Sequence, residues 1–266
     1  MTTELSDMGM IKADIDALGI ATVTVSNPDR MNAMQLSMWR SLETTMHDLA
    51  ADARVRVVLI RGAGEKAFVS GADISEFNEV RGTPEAVAIY DAAVEAAEAA
   101  LAACPKPVIA AISGVCYGGG LGIAFSCDLR YCDREVRMSL PAVKLGLGYA
   151  AEDVERMVHV LGLARTAELL MTAKVYRADD VVASGMVHGC VDDVFEYALA
   201  QARQIAAFAP LTLKSIKLTL QHLKGSANAP DAQRVAQSVA ACFASEDYVE
   251  GRQAFAEKRV PAFKGR

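Results

Sequence analysis

The sequence predicts an α/β fold, with a core of alternating strands and helices and a helical extension at the C-terminus. Three observations point there. Short apolar runs that end in glycine or proline recur through the first half of the chain. Ala- and Glu-rich or amphipathic segments separate them. From about residue 152 the strand signals thin out and one helical pattern follows another.

In chain order, "GIATVTVSNP" alternates Ile20, Thr22 and Thr24 against Ala21, Val23 and Val25, a strand that ends at Asn27 and Pro28. "MQLSMWRSLETTMHDLAA" places Met38, Leu42, Met46 and Leu49 on one helical face. "VRVVLIRGAG" is an apolar run closed by glycines, as expected for a strand buried on both sides. "KAFVSGADISEF" reads as a short strand entering a glycine turn. Residues 84–103 are rich in the best helix formers, and Pro105 and Pro107 end that segment. "VIAAISG" is another buried strand, leading to the bare stretch "CYGGGLGIAF" and a helix. "DLRYC" is a further short strand. Helices then follow in "EDVERMVHVLG", "ARTAELLMTA", "ADDVVASGM" and "VFEYALAQARQIAAFA", and the tail is helical too, in "LTLKSIKLTLQHLKG" and "DAQRVAQSVAACFASEDYVEGRQAFAEKR". The pattern breaks between Phe195 and Pro210, which divides the chain into a core over 1–200 and a helical region over 201–266.

Composition narrows the function. The chain has 266 residues, 52% hydrophobic, with net charge −6. That balance disfavours a non-specific nucleic-acid surface and an anionic membrane. The six cysteines form no CxxC pair and read as buried free thiols of a reducing compartment. "MTTELSDMGMIKAD" lacks the basic start and apolar run of a secretory leader, and no apolar stretch reaches spanning length. A cytoplasmic location is expected. The four histidines are scattered without metal spacing, so no metal is expected.

Glycines between strand and helix make a polar device. The first N–H groups of a helix lack partners, and glycine lets a ligand approach the backbone. "CYGGGLGIAF" offers one such turn and "VSGADISEF" a second. Two donors aimed at one oxygen would stabilise an oxyanion. Dinucleotide and mononucleotide readings fail. "GLGYAA" follows a segment interrupted by Pro141, and "RGAGEKAF" lacks the GK[ST] of a P-loop.

Five segments in order along nearly the whole chain resemble the enoyl-CoA hydratase/isomerase (crotonase) family: "NPDRMNAM", "KAFVSGADISEF", "KPVIAAISGVCYGGGLGIAFSCDLR", "GLARTAELLMTAKVYRADDVVASGMV" and "SEDYVEGRQAFAEKRVPAFKGR". The resemblance implies a crotonase-like spiral of ββα units with a C-terminal helical trimerisation region. It implies an acyl-CoA substrate, with coenzyme A belonging to the substrate and no separate cofactor. The backbone N–H groups of Ala72 and Gly119 would form the oxyanion hole. Asp73, Ile74 and Ser75 would line the acyl-CoA site, Ser70 would face the adenine, and Phe255 and Lys258 would contact CoA from a neighbouring subunit. A homotrimer or dimer of trimers is the implied assembly.

The sequence departs from that pattern at two places. Hydratases of the family carry one glutamate two residues after the glycine triplet and another after a proline beyond the strand "RMSL". Here those positions hold Gly122 and Ala142. Acid–base chemistry needs a titratable group within reach, and neither residue supplies one. Tyr149 stands where decarboxylating members place a tyrosine. Glu152 and Asp153 follow as candidate acid/base groups. Three outcomes are therefore carried forward: hydratase or isomerase chemistry, decarboxylation of a malonyl-type thioester with Tyr149, and a catalytically silent acyl-CoA binder.

Overall fold

Parallel strands covered on both faces must be apolar at every position, and this decides the centre of the fold. In the computed structural model, which describes residues 9–225 and 229–266, β3 (Val57–Gly62) and β5 (Val108–Ile112) are such strands. The first eight residues, on which the reading of the N-terminus rests, lie outside the described residues. Pleating sends Val58, Ile60, Ala110 and Ile112 into one core layer and Val57, Leu59, Ile109 and Ala111 into another.

The first sheet runs in the order β1 (Met10–Ile15), β2 (Ile20–Ser26), β3, β5, β7 (Leu129–Cys132) and β10 (Gly189–Cys190). Only the β1–β2 pair is antiparallel. The second sheet runs β4 (Ala67–Val69), β6 (Val115–Tyr117), β8 (Arg137–Ser139) and β9 (Tyr176–Arg177). Successive pairs β3/β4, β5/β6 and β7/β8 each give one strand to each sheet before a helix follows. That is a spiral of ββα units.

Four strands escaped the sequence reading: β1, β6 and the two-residue β9 and β10, which interrupt the helical second half. β1 is an edge strand whose Lys12 and Asp14 face solvent, leaving only Ile11 and Ile15 to pack on the core. β6 was hidden inside the run that feeds the glycine triplet. Gly114, at φ +59°, turns the chain from β5 into β6, and a Cβ there would strike the Lys66 carbonyl. The strand that enters the triplet is therefore β6, of the second sheet, and not the longer apolar run.

α1 (Leu36–Ala51) buries Met38, Trp39, Leu42, Met46 and Leu49, the expected face. It packs on α3 (Pro84–Ala103), which is reached through the short α2 (Phe77–Val80) and capped by Thr83. α4 (Gly119–Ser126) starts at the triplet. α5 (Ala151–Thr172) is broken at Gly162, where φ is +72°, so the two expected helices abut. After α6 (Ala178–Ala183) comes α7 (Val194–Ala206), whose Val194, Ala198 and Ala202 cover the outer face of the first sheet.

α8 (Pro210–Lys224), α9 (Ala232–Phe243) and α10 (Glu246–Glu257) complete the chain. The tail is split at Ser245, whose hydroxyl accepts the Tyr248 N–H of α10 at 3.1 Å. Lys217 ties α8 to the core through Asp128, 2.7 Å away, and Asp128 also accepts the Val108 N–H at 2.8 Å.

Candidate active site

A buried polar knot sets the geometry. Asn32, at φ +56°, donates its amide to the carbonyls of Ala67 (2.7 Å) and Ala63 (3.0 Å) and accepts the Asn27 N–H (3.1 Å). Asn27 in turn donates to the Ala33 carbonyl at 2.9 Å. The "NPDRMNAM" segment thereby clamps the end of β2 to the start of β4. Satisfied buried amides of this kind are costly to disturb.

From this clamp, Met34 forms a parallel bridge with Ala72: its N–H reaches the Gly71 carbonyl (2.8 Å), and its carbonyl accepts the Asp73 N–H (2.9 Å). In such a bridge Ala72 keeps its own N–H on the opposite side, which is the side of the pocket. The second turn comes up beside it. Gly118, at φ +52°, presents its α-carbon so that an added Cβ would sit 3.5 Å from the Gly71 α-carbon. Gly119 opens α4, so its N–H has no intrahelical acceptor. Trp39 lies directly behind it. A Cβ on Gly119 would meet the indole at 2.7 Å, and Trp39 is held by a 2.9 Å hydrogen bond from its indole N–H to Tyr90.

Both turns open on one cavity of about 540 Å³. Ser70, Ala72, Ile74, Gly119, Gly122, Ala142, Tyr149, Glu152 and Asp153 all line it. Ile74 is exposed at its mouth. Asp73 and Ser75 belong to the same turn but do not line the cavity. Asp73 is buried and accepts the Ser75 N–H (3.0 Å), the Ser75 hydroxyl (2.7 Å) and the Gln35 amide (3.2 Å). Burial raises its pKa, yet these bonds and Arg30 outweigh burial and hold the carboxyl below its ordinary range. Its part in the turn is to fix the backbone. Phe255 and Lys258 sit on α10 and at its end, outside this cavity of their own chain.

The opposite wall is ionisable, and sequence reasoning missed its centre. Glu98 of α3 is buried, and Arg156 of α5 bonds its Oε2 at 2.8 Å. Arg156 also reaches Asp153 at 3.1 Å. Burial pushes the Glu98 carboxyl up to about 7, opposed by Arg156 and assisted by Asp153 and Glu95. Tyr149 is pushed up to about 12 by burial, then by the charges of Asp153 and Glu98, so its hydroxyl stays protonated. One signal for Glu98 was present. It stands three residues before buried Leu101 and four after Val94, so a carboxylate interrupts the apolar face of an Ala-rich helix.

A second cavity, about 640 Å³, lies among the C-terminal helices and is lined by Ile216, Phe243, Tyr248, Phe255 and Phe263. It shares no residue with the first. Among the described residues no group of histidine, cysteine or acidic side chains is placed to hold a metal, and no helix is long and apolar enough to cross a membrane.

The family model for enoyl-CoA hydratase/isomerase matches residues 16–266. A probable enoyl-CoA hydratase of Bacillus subtilis is 32% identical over 97% of this chain and 100% of its own. A human Δ(3,5)-Δ(2,4)-dienoyl-CoA isomerase is 30% identical over 89% of this chain and 76% of its own. The crystal structure of an enoyl-CoA hydratase/carnithine racemase from Magnetospirillum magneticum superposes with a TM-score of 0.92 at 36% identity, covering both chains completely.

Proposed function

This chain belongs to the enoyl-CoA hydratase/isomerase (crotonase) family, and from that premise we propose that it generates and holds an enolate on an acyl-CoA thioester. The Ala72 and Gly119 N–H groups receive the thioester oxygen. When a bond at the neighbouring carbon breaks, charge moves onto that oxygen, and fixed amides meet it without reorganising. The observation that carries this reading is the close approach of the Gly71–Ala72 and Gly118–Gly119 turns at one cavity. Ser70, Ile74 and the buried Asp73–Ser75 turn shape the entrance.

Hydration by two glutamates does not suit this site, because Gly122 and Ala142 offer no titratable side chain. Decarboxylation is a second reading, favoured by Tyr149. Loss of CO₂ yields the enolate without a base, and a protonated hydroxyl in the cavity can then deliver a proton.

Phe255 is 88% exposed and lines the second cavity together with exposed Phe243. That apolar surface supports assembly as a homotrimer or a dimer of trimers, in which Phe255 and Lys258 reach the CoA of a neighbour. Lys258 suits the phosphates of CoA in a chain of net charge −6.

A panel of 2-enoyl, 3-enoyl and malonyl-type CoA thioesters, followed by chromatography and mass spectrometry, tests the reading. Turnover of a 3-enoyl or malonyl-type thioester is expected. Rapid hydration of a 2-enoyl-CoA would contradict the inference from Gly122 and Ala142. Unchanged decarboxylation in Tyr149→Phe would remove the role given to the tyrosine. Tight CoA binding with no turnover at all would favour the silent binder.

A further inference from the structure

Position 122 and Glu98 compete for the same space. A Cβ built on Gly122 would overlap the Glu98 carboxylate and lie 2.7 Å from its carboxyl carbon. The glycine is therefore required by the carboxylate that α3 sends across, and a carboxylate is present beside α4 even though α4 carries none. Arg156 binds Oε2 only. Among the described residues nothing hydrogen-bonds Oε1, the oxygen nearest Gly122, and Glu98 lines the cavity.

We propose that Glu98 is the proton-transferring carboxylate of this site, delivered from α3 into the volume that a side chain at position 122 would occupy, with Arg156 as its positioning residue. The proposal rests on the enolate reading above and specifies its reaction. One carboxylate without a second acid–base partner suits a proton shift between two carbons better than addition of water. On a 3-enoyl thioester, Glu98 Oε1 takes the proton from C2. The C–H electron pair forms the C1=C2 bond, and the carbonyl π pair moves onto the oxygen facing Ala72 and Gly119. The carbonyl then re-forms, C2=C3 is made, and the C3=C4 pair takes the proton back from Glu98 at C4. The product is the conjugated 2-enoyl thioester; no water is consumed and the carboxylate is regenerated.

A group that both takes and returns a proton works best when its two forms are close in energy. The burial that lifts Glu98 to about 7 is consistent with that use. The charged and titratable groups facing it are Arg156, Asp153 and Tyr149 from α5 and the turn before it, and Glu95 from its own helix.

The test compares wild type with Glu98→Gln in the full-length protein. Conversion of a 3-enoyl-CoA to its conjugated isomer is followed by absorbance, and deuterium uptake at C2 by mass spectrometry. The isosteric amide keeps the packing, which thermal unfolding checks. The expected result is a fall in kcat of about 10²–10⁴-fold, with KM within about twofold. Arg156→Met should move the acidic limb of the kcat/KM profile to higher pH, and Asp153→Asn should move it lower; a residue needed only for packing would shift neither. If Glu98→Gln isomerises and exchanges at the wild-type rate, the proposal is overturned while the enolate reading stands. If wild type neither isomerises 3-enoyl-CoA nor exchanges the C2 hydrogens of any thioester, the proposal fails; if it also decarboxylates no malonyl-type thioester, the enolate reading fails with it.

Discussion

The cavity has two unlike walls. One is backbone: the amides of Ala72 and Gly119, held by the Asn27–Asn32 knot and backed by Trp39. The other is side chain: Glu98, Arg156, Asp153 and Tyr149, carried by α3, α5 and the turn before α5. The first wall has no charge to titrate and no rotamer to choose, so it is set by backbone sterics and by the hydrogen bonds of the knot behind it. The second depends on which charges burial brings together, and on the reading proposed above it sets what reaction the first wall serves.

The largest effect is expected from the backbone wall. Gly119→Ala places a methyl group 2.7 Å from the Trp39 ring and must move either the indole or the amide. Steady-state kinetics on whichever thioester turns over should show kcat lower by about 10²–10³-fold, the cost of one misplaced oxyanion donor. A wild-type rate would mean that the amide of Gly119 does not face the reacting oxygen.

Next comes the contact between the walls. Gly122→Ala should displace the Glu98 carboxylate from Arg156 and destabilise the fold by about 1–3 kcal/mol in denaturant titrations. Adding Glu98→Ala should return part of that loss, because the two side chains compete for one volume. Strict additivity would deny the competition.

The ionisable wall should also set a pH dependence of stability. Glu98 is lifted from 4.5 to about 7, so the folded chain holds this proton more tightly than the unfolded one. Stability from this group is full below pH ~4.5 and is lost as pH rises towards ~7, by roughly 3 kcal/mol. Unfolding of Glu98→Gln across that window should lack this loss. Parallel curves for the two proteins would show that Glu98 ionises as it would in water.

The smallest effect belongs to Lys258. Its replacement by alanine should raise KM for CoA thioesters by no more than ~5-fold and leave kcat unchanged, as for an exposed charge meeting a phosphate. A change in kcat would place Lys258 nearer the reacting atoms.

The two walls were not equally legible in the sequence. Glycine is demanded at 71 and 118 by a positive φ (+114° and +52°) and at 119 by the Trp39 ring, so the turns stand out as motifs, as do the helix over 84–103 and the buried strands β3 and β5. β1 and β6 were not legible, the one because it is a half-polar edge and the other because three residues carry no periodicity. The ionisable wall was only half visible. Tyr149, Glu152 and Asp153 stood out as a cluster, and all three line the cavity. Glu98 did not, because its meaning depends on Gly122 and Arg156, which only the packing of α3 against α4 and the pairing with α5 bring beside it. The sequence reading of Gly122 considered α4 alone, whereas the carboxylate that fills the space beside it comes from α3.

The most direct measurement transplants the carboxylate. Glu98→Ala alone and the double variant Glu98→Ala/Gly122→Glu are compared for 3-enoyl-CoA isomerisation. Removing the Glu98 side chain opens the space that a glutamate on α4 needs. The double variant should recover at least ~10-fold over Glu98→Ala, within the range one acid–base group supplies. A folded double variant that binds CoA as wild type does and stays at the Glu98→Ala rate would contradict the claim that α3 supplies what α4 lacks.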